Sequence, residues 1–212
     1  MDRRTAIQCA LGSVVGIGVG VNAAKADLII PGRVRRNPGE SYVDALINVR
    51  QAQRFTDAPV PKEHIDKIVQ AGLNAPSALN LQPWFFSVVT DRELLKAIDK
   101  AANVDPNGRL SVGGSPLVIF VSTDDSDYGR YDAGAAADRM NVVANLLGYG
   151  CKSVATAPKA ANAEEFRTKL HVPENYQIVA ALLIGVEVEK SVDGVSGATT
   201  REPKEKKSFY LS

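Results

Sequence analysis

Val43, Leu46, Ile47 and Arg50 recur at helical spacing and predict a helix that begins near Ser41, a residue suited to an N-cap. Ile65, Ile68, Val69 and Leu73 repeat the pattern and predict a second helix from Pro61, which suits a first helical turn. The period then changes. Phe85 to Val89 is a short apolar run and reads as a strand, followed by an Asp91-capped helix carrying Leu94, Leu95 and Ile98. Leu117 to Val121 predicts a second, buried strand. Ala133 to Leu147 predicts a long helix rich in small residues, where another backbone or a flat ligand can come close. Ala163 to Leu170 reads as a short helix and Ile178 to Val188 as the longest strand. Helices and strands alternate without a regular βαβ repeat and without internal duplication. The expected fold is α+β, with helices covering a small, mainly antiparallel sheet.

Upstream of these elements the composition shifts. Arg3 and Arg4 precede a moderately apolar run from Cys9 to Ala24 that ends in Ala24-Lys25-Ala26, a small-x-small cleavage pattern. Residues 1–26 are therefore expected to be a twin-arginine-like signal peptide and 27–40 a linker, with the folded domain at 41–212. A spanning helix needs about 20 strongly apolar residues; this run is shorter and is interrupted by Gly12, Gly16, Gly18 and Gly20. Thr5-Ala6-Ile7-Gln8 lacks the aromatic residue that often follows the arginine pair, so the twin-arginine and general export routes both stay open, as does retention of the segment as an anchor. Either way the expected location is periplasmic or otherwise extracytoplasmic.

Charge and cysteines narrow the function classes. The chain has 25 Lys and Arg against 24 Asp and Glu, and without residues 1–26 the two signs still nearly balance, which gives no footprint for nucleic acid. Cys9 leaves with the leader and Cys151 stands alone, so no intrachain disulfide forms. With two His and no HExxH or CxxC spacing, no metal site is expected. His64 and His171, in a helix and at a helix end, read as surface residues. Glu164, Glu165 and the Lys204–Lys207 run read as solvated faces.

The chain's most specific motif is Asp193-Gly194-Val195-Ser196-Gly197-Ala198-Thr199. It resembles the acceptor sequence of bacterial flavin transferases, which join the phosphate of FMN to a threonine hydroxyl. Asp six residues before the acceptor, Ser three before, and Gly-Ala-Thr are all in register, which makes Thr199 the attachment point. Gly194, Gly197 and Ala198 give the slim, free backbone that another enzyme's active site requires. The competing reading is a polar turn after the last strand.

Ala75-Pro76-Ser77-Ala78-Leu79-Asn80-Leu81-Gln82-Pro83-Trp84 resembles the hallmark stretch of the nitroreductase family of FMN oxidoreductases. The resemblance continues through Arg54-Phe55-Thr56-Asp57, Asp132-Ala133-Gly134-Ala135, Gly148-Tyr149-Gly150 and Pro173-Glu174-Asn175-Tyr176, and covers about residues 43 to 212. It implies an intertwined homodimer with FMN at the subunit interface. Pro76, Ser77 and Asn80 of one subunit are expected to lie against a flavin held mainly by the other. Ala157 to Ala160 falls where the family has a loop that gives a backbone N–H to flavin N5, which carries Lys159 over as a cofactor contact.

The departures from the family pattern are informative. Aligned on Phe55, its phosphate-binding positions here are Val49, Arg50, Gln51, Ala52 and Gln53, so two cations and a hydroxyl are missing. A free phosphomonoester carries about −1.5 to −2 charge at pH 7, whereas an esterified one stays near −1. A covalently attached FMN needs fewer cations around it. After the last core strand the family's Lys-x-Arg-x-Pro becomes Thr199-Thr200-Arg201-Glu202-Pro203, so the acceptor hydroxyl stands in place of a phosphate-binding lysine and Arg201 keeps its role. The cofactor residues expected are thus Thr199, Arg50, Gln51, Gln53, Pro76, Ser77, Asn80, Lys159 and Arg201.

These readings imply an exported FMN oxidoreductase that passes electrons or hydride to a small-molecule acceptor, with chemistry at flavin N5 and no protein acid or nucleophile. A flavin transferase would be its maturation partner and an unknown extracytoplasmic protein or quinol its electron donor, because NAD(P)H is not supplied outside the inner membrane. Two alternatives stay open: a covalent-flavin electron carrier between proteins, and an exported nitroreductase with dissociable FMN.

Overall fold

Leu117–Thr123 is apolar at nearly every position, which demands cover on both faces and puts it in the middle of the molecule. In a computed structural model this segment is strand β2, buried along its length. It lies between β1 (Trp84–Val89) and β4 (Gln177–Gly185), with β3 (Gly150–Val154) beyond β4. The sheet order is β1-β2-β4-β3 and every pairing is antiparallel. The structure describes residues 43, 46–47, 51–108, 110–154, 156–188 and 202–211, all within the compact unit 42–212.

Alternation along β2 assigns the two layers. Leu117, Ile119 and Val121 face Ile68, Met140 and Ala144, so helices α1 (Lys62–Leu73) and α3 (Gly129–Leu146) cover one side. Val118 and Phe120 face Leu95, Ile98, Phe166 and Leu170, so α2 (Arg92–Ala101), α4 (Thr156–Ala161) and α5 (Glu164–Lys169) cover the other. A last helical turn, α6 (Lys204–Lys207), leads into an exposed Phe209-Tyr210-Leu211. The α+β expectation holds, with a small antiparallel sheet between helices.

Local signals placed most of these elements. Asp91 caps α2 by accepting the N–H groups of Glu93 and Leu94, and Pro61 precedes α1. Helix α1 turns on a different residue from the one expected: Leu73 is exposed, and Gly72 makes the close contact instead. A Cβ on Gly72 would lie 2.9 Å from both Cγ and Sδ of Met140, so its absence lets α1 sit directly on α3.

Several boundaries differ from the sequence pattern. Helix α3 starts four residues before Ala133, at Gly129, where a Cβ would fall 2.7 Å from Thr123 Oγ1. The long strand ends at Gly185, although Glu187 still bridges Phe55. Strand β3 was not visible in the pattern, because Gly150-Cys151-Lys152-Ser153-Val154 buries a lysine as well as apolar residues. The loop expected at Ala157 to Ala160 is instead α4: Ala157, Ala160 and Ala161 favour helix, and Pro158 fits its first turn.

Candidate functional site

Two segments with the expected cofactor residues are built in different ways. The first flanks a cavity of about 510 Å³, within the usual range for small-molecule sites of about 300–1,000 Å³. Gln53, Arg54 and Phe55 form one wall, α2 supplies Arg92, Lys96 and Asp99, and the loop from Pro106 to Gly114 forms another. Backbone bonds fix the first wall to the sheet. Ala52 N–H donates to Cys151 O at 3.0 Å, and Thr56 N–H to Val186 O at 2.8 Å.

Asp99 organises the opposite wall. It is 3% exposed, and its Oδ2 accepts Ser111 Oγ–H at 2.6 Å and Gly113 N–H at 2.8 Å. Its Oδ1 accepts Val112 N–H at 2.9 Å. Around the cavity Arg92 pairs with Asp57 at 2.9 Å and Lys96 with Glu93 at 2.7 Å, while Arg54 is exposed. Those ion pairs engage Arg92 and Lys96 as well as the carboxylates, and the exposed Arg54 guanidinium with the Gln53 and Asn107 amides adds further donors to the rim. This donor set suits an anionic, oxygen-rich ligand.

The second segment is the loop from Pro76 to Pro83. Leu79, Asn80 and Gln82 adopt left-handed backbone angles, with φ of 51°, 57° and 52°, a conformation that non-glycine residues adopt rarely. The loop projects from the molecule, with Leu79 91% exposed. Ser77 Oγ accepts Gln82 N–H at 3.0 Å, and among the described residues its own hydroxyl hydrogen meets no acceptor. That hydrogen is available to a ligand carbonyl or ring nitrogen. Behind the loop Trp84 is buried against Ala75 and Ala136 and stacks on Phe86, so it serves the core.

The sheet register separates the two segments. Trp84, directly after the loop, pairs with Thr123 at one end of β2. Cys151, which holds Ala52, pairs with Ile184 and through it with Leu117 at the other end. They also lie at opposite edges, beside β1 and β3. Three strand spacings of about 4.8 Å and a strand rise of about 3.3 Å per residue put the segments roughly 20–25 Å apart.

Gln53 lines the cavity and Gln51 joins it through its carbonyl, which accepts Gln53 Nε2 at 3.4 Å. Pro76, Ser77 and Asn80 lie in the projecting loop and do not line the cavity. Lys159 lies in α4, exposed, so the expected loop donor is corrected to a helical residue. Arg50, Asp193, Gly194, Ser196, Gly197, Ala198, Thr199 and Arg201 fall outside the described residues. Sequence reasoning missed Asp99 and the Pro106–Gly114 wall. The clustering of Asp105, Pro106, Asn107, Gly108, Gly113 and Gly114 was a turn signal that marked the loop without marking its use.

His64 was expected at the surface; it is half-buried, with Nδ1 2.7 Å from the Tyr149 hydroxyl. Burial raises the Tyr149 hydroxyl above its usual range. Cys151 is buried, and its thiol is pushed up to about 12, chiefly by loss of solvent.

Comparison with known proteins agrees with this architecture. The sequence model of the nitroreductase family matches residues 50–109. A provisional NADH dehydrogenase/NAD(P)H nitroreductase of Archaeoglobus fulgidus is 28% identical over 178 residues, 81% of this chain and 90% of that protein. The FMN reductase [NAD(P)H] of Bacillus subtilis is 25% identical over 172 residues, 70% of this chain and 67% of its own length. Among solved structures, an FMN-dependent nitroreductase of Clostridium difficile superposes with a TM-score of 0.62 at 26% identity, covering 80% of this chain and 98% of that one. The fold is nitroreductase-like, and with these similarities it defines an enzyme of the nitroreductase-like oxidoreductase class.

Proposed function

We propose that this chain is an exported flavoprotein oxidoreductase that works as a homodimer, with FMN bound between copies and joined through its phosphate to Thr199. The observation that carries the reading is the diagonal separation of the two cofactor segments. A flavin that touches both the Gln53 cavity and the Ser77 loop must draw them from different chains. Exposed apolar residues at Val43, Leu46, Ile47, Phe209, Tyr210 and Leu211, and the outer edge of β1, which pairs with no other strand among the described residues, support a partner copy.

The residues fit the cofactor. In the cavity Gln53, Asn107 and Arg54 supply amide and guanidinium donors for a ring edge and a phosphate. From the other chain, Ser77 would donate its free hydroxyl hydrogen, and the loop of Leu79 and Asn80 would cover part of the ring. When bound, FMN supplies reversible electron or hydride transfer at ring N5. The protein's task is to orient the ring and leave one face open to an acceptor. Relatives are named for FMN and NAD(P)H; an exported chain would take its electrons from a membrane quinol or flavoprotein instead.

The covalent part rests on the Asp193-to-Thr199 run and on Val49 and Gln53 standing in the sequence where the family has phosphate-binding cations, with Gln51 in place of its hydroxyl. A tether also keeps the cofactor at high effective concentration where a dissociated one would be lost. Denaturing mass spectrometry of protein produced with a flavin transferase tests the linkage. The expected result is an FMN-sized increase on the peptide that contains Thr199, abolished by Thr199→Val. An unchanged mass with bound, dissociable flavin leaves an ordinary FMN reductase. Retained flavin without steady-state reduction of quinones or nitroaromatics makes the chain a carrier between proteins.

A further inference from the structure

The Pro76–Pro83 loop carries three left-handed non-glycine residues and little burial, a conformation that persists only where its surroundings impose it. The loop's internal bonds are modest: Ser77 Oγ to Gln82 N–H, and the backbone pairs Asn80 to Ser77 and Leu81 to Ala78. The restraint from outside comes from two buried side chains. Asp132, 1% exposed, accepts Ala78 N–H on Oδ2 at 3.1 Å. Thr123, also buried, donates its hydroxyl to Pro83 O at 2.6 Å. One bond fixes the residue after Ser77 and the other fixes the loop's exit into β1.

Both restraints depend on a close approach between the end of β2 and the start of α3. Gly129 provides it, since a Cβ there would lie 2.7 Å from Thr123 Oγ1 and 2.8 Å from Asp124 O. Asp132 stands in the first turn of α3, where the helix dipole favours a carboxylate. Its second use, as acceptor for a neighbouring loop, makes α3 the mount on which the loop is set. Without Asp132 the Ala78 N–H has no acceptor, and the left-handed residues that follow lose their anchor.

We infer that Asp132, together with Thr123 and made possible by Gly129, is a positioning residue that holds the Ser77–Gln82 loop in a ligand-ready shape. Given the proposed flavin site, its effect is to aim the Ser77 hydroxyl at the partner copy's flavin ring. Asp132 does not touch the ligand; it acts through the Ala78 amide. An asparagine retains a carbonyl oxygen and therefore the acceptor, whereas alanine removes it.

The test compares wild type, Asp132→Asn and Asp132→Ala, each full-length dimer produced without a flavin transferase. Amide hydrogen exchange over Ala78–Gln82 is measured without ligand, and free FMN is titrated by fluorescence. Asp132→Ala is expected to speed exchange in the loop and weaken FMN about tenfold, the scale of one hydrogen bond to a charged group. Asp132→Asn is expected to restore most of both. Unchanged exchange and affinity in Asp132→Ala would overturn the inference, as would equal losses in Asn and Ala, which mean a folding role only. Wild type that fails to bind FMN while Asp132→Ala still frees the loop would overturn the flavin reading and leave the positioning role standing.

Discussion

Removing the Asp99 carboxylate should open one wall of the cavity and destabilise the domain measurably. Its two oxygens take three hydrogen bonds, from Ser111 Oγ, Val112 N and Gly113 N, at 2.6 to 2.9 Å. Asp99 lies near the C-terminal end of α2, where the helix dipole disfavours a carboxylate. Its contribution is therefore to the Pro106–Gly114 loop. Each hydrogen bond to a charged group is worth about 1.5–3 kcal/mol, and such bonds sharing one acceptor do not add fully. Water entering from the cavity would satisfy part of the deficit. The expected loss for Asp99→Ala is about 3–5 kcal/mol, and for Asp99→Asn, which keeps one acceptor oxygen, roughly half that. Urea unfolding at neutral pH, followed by the fluorescence of Trp84, gives the difference from the midpoint and slope. A loss under about 1 kcal/mol for Asp99→Ala would refute the reasoning, because it would mean the three donors are satisfied equally well without the carboxylate.

Cys151 should resist alkylation in the native state at pH 8 and react at once in urea, because burial raises its thiol from 9.0 to about 12. The fold keeps a proton there that the unfolded chain releases, so stability is full below about pH 9 and falls as pH rises toward 12, by up to about 1.4 kcal/mol per unit. Cys151→Ala should flatten that slope in alkaline denaturation curves, and an unchanged slope would assign it to other groups. Gly185→Ala should cost about 1–3 kcal/mol, since the added Cβ would meet the rigid Pro116 ring at 2.7 Å. A thermal midpoint equal to wild type would show that the ring moves aside freely.

Elements whose apolar spacing follows one period were legible in the sequence. Strand β2 and helices α1, α2 and α5 carry apolar residues at the spacing that their geometry buries, although α2 also buries Asp99, and Asp91 announced the start of α2. Strand β3 was hidden, because a five-residue edge strand with a buried Lys152 has no alternation to read. Helix α4 was read as a loop by analogy, although its alanines already favoured helix. In the site, Gln53 and Ser77 were visible because they belong to short motifs. Asp99 was not, and Asp132 stood in a quoted motif without a role, since each acts on a backbone distant in sequence, and an acidic residue in a helix ordinarily reads as solvent-facing. Only the register placed the two motifs at opposite corners.

That arrangement allows lesions to be shared out between copies. A chain altered at Ser77 and Asn80 and a chain altered at Gln53 would each form dimers with two damaged sites. In a mixed dimer of the proposed kind one site collects both lesions and the other collects none. Random mixing of two inactive preparations should then restore about a quarter of the wild-type sites. A site contained within one chain gains nothing from mixing, so activity regained by two dead variants would count the chains that build each site.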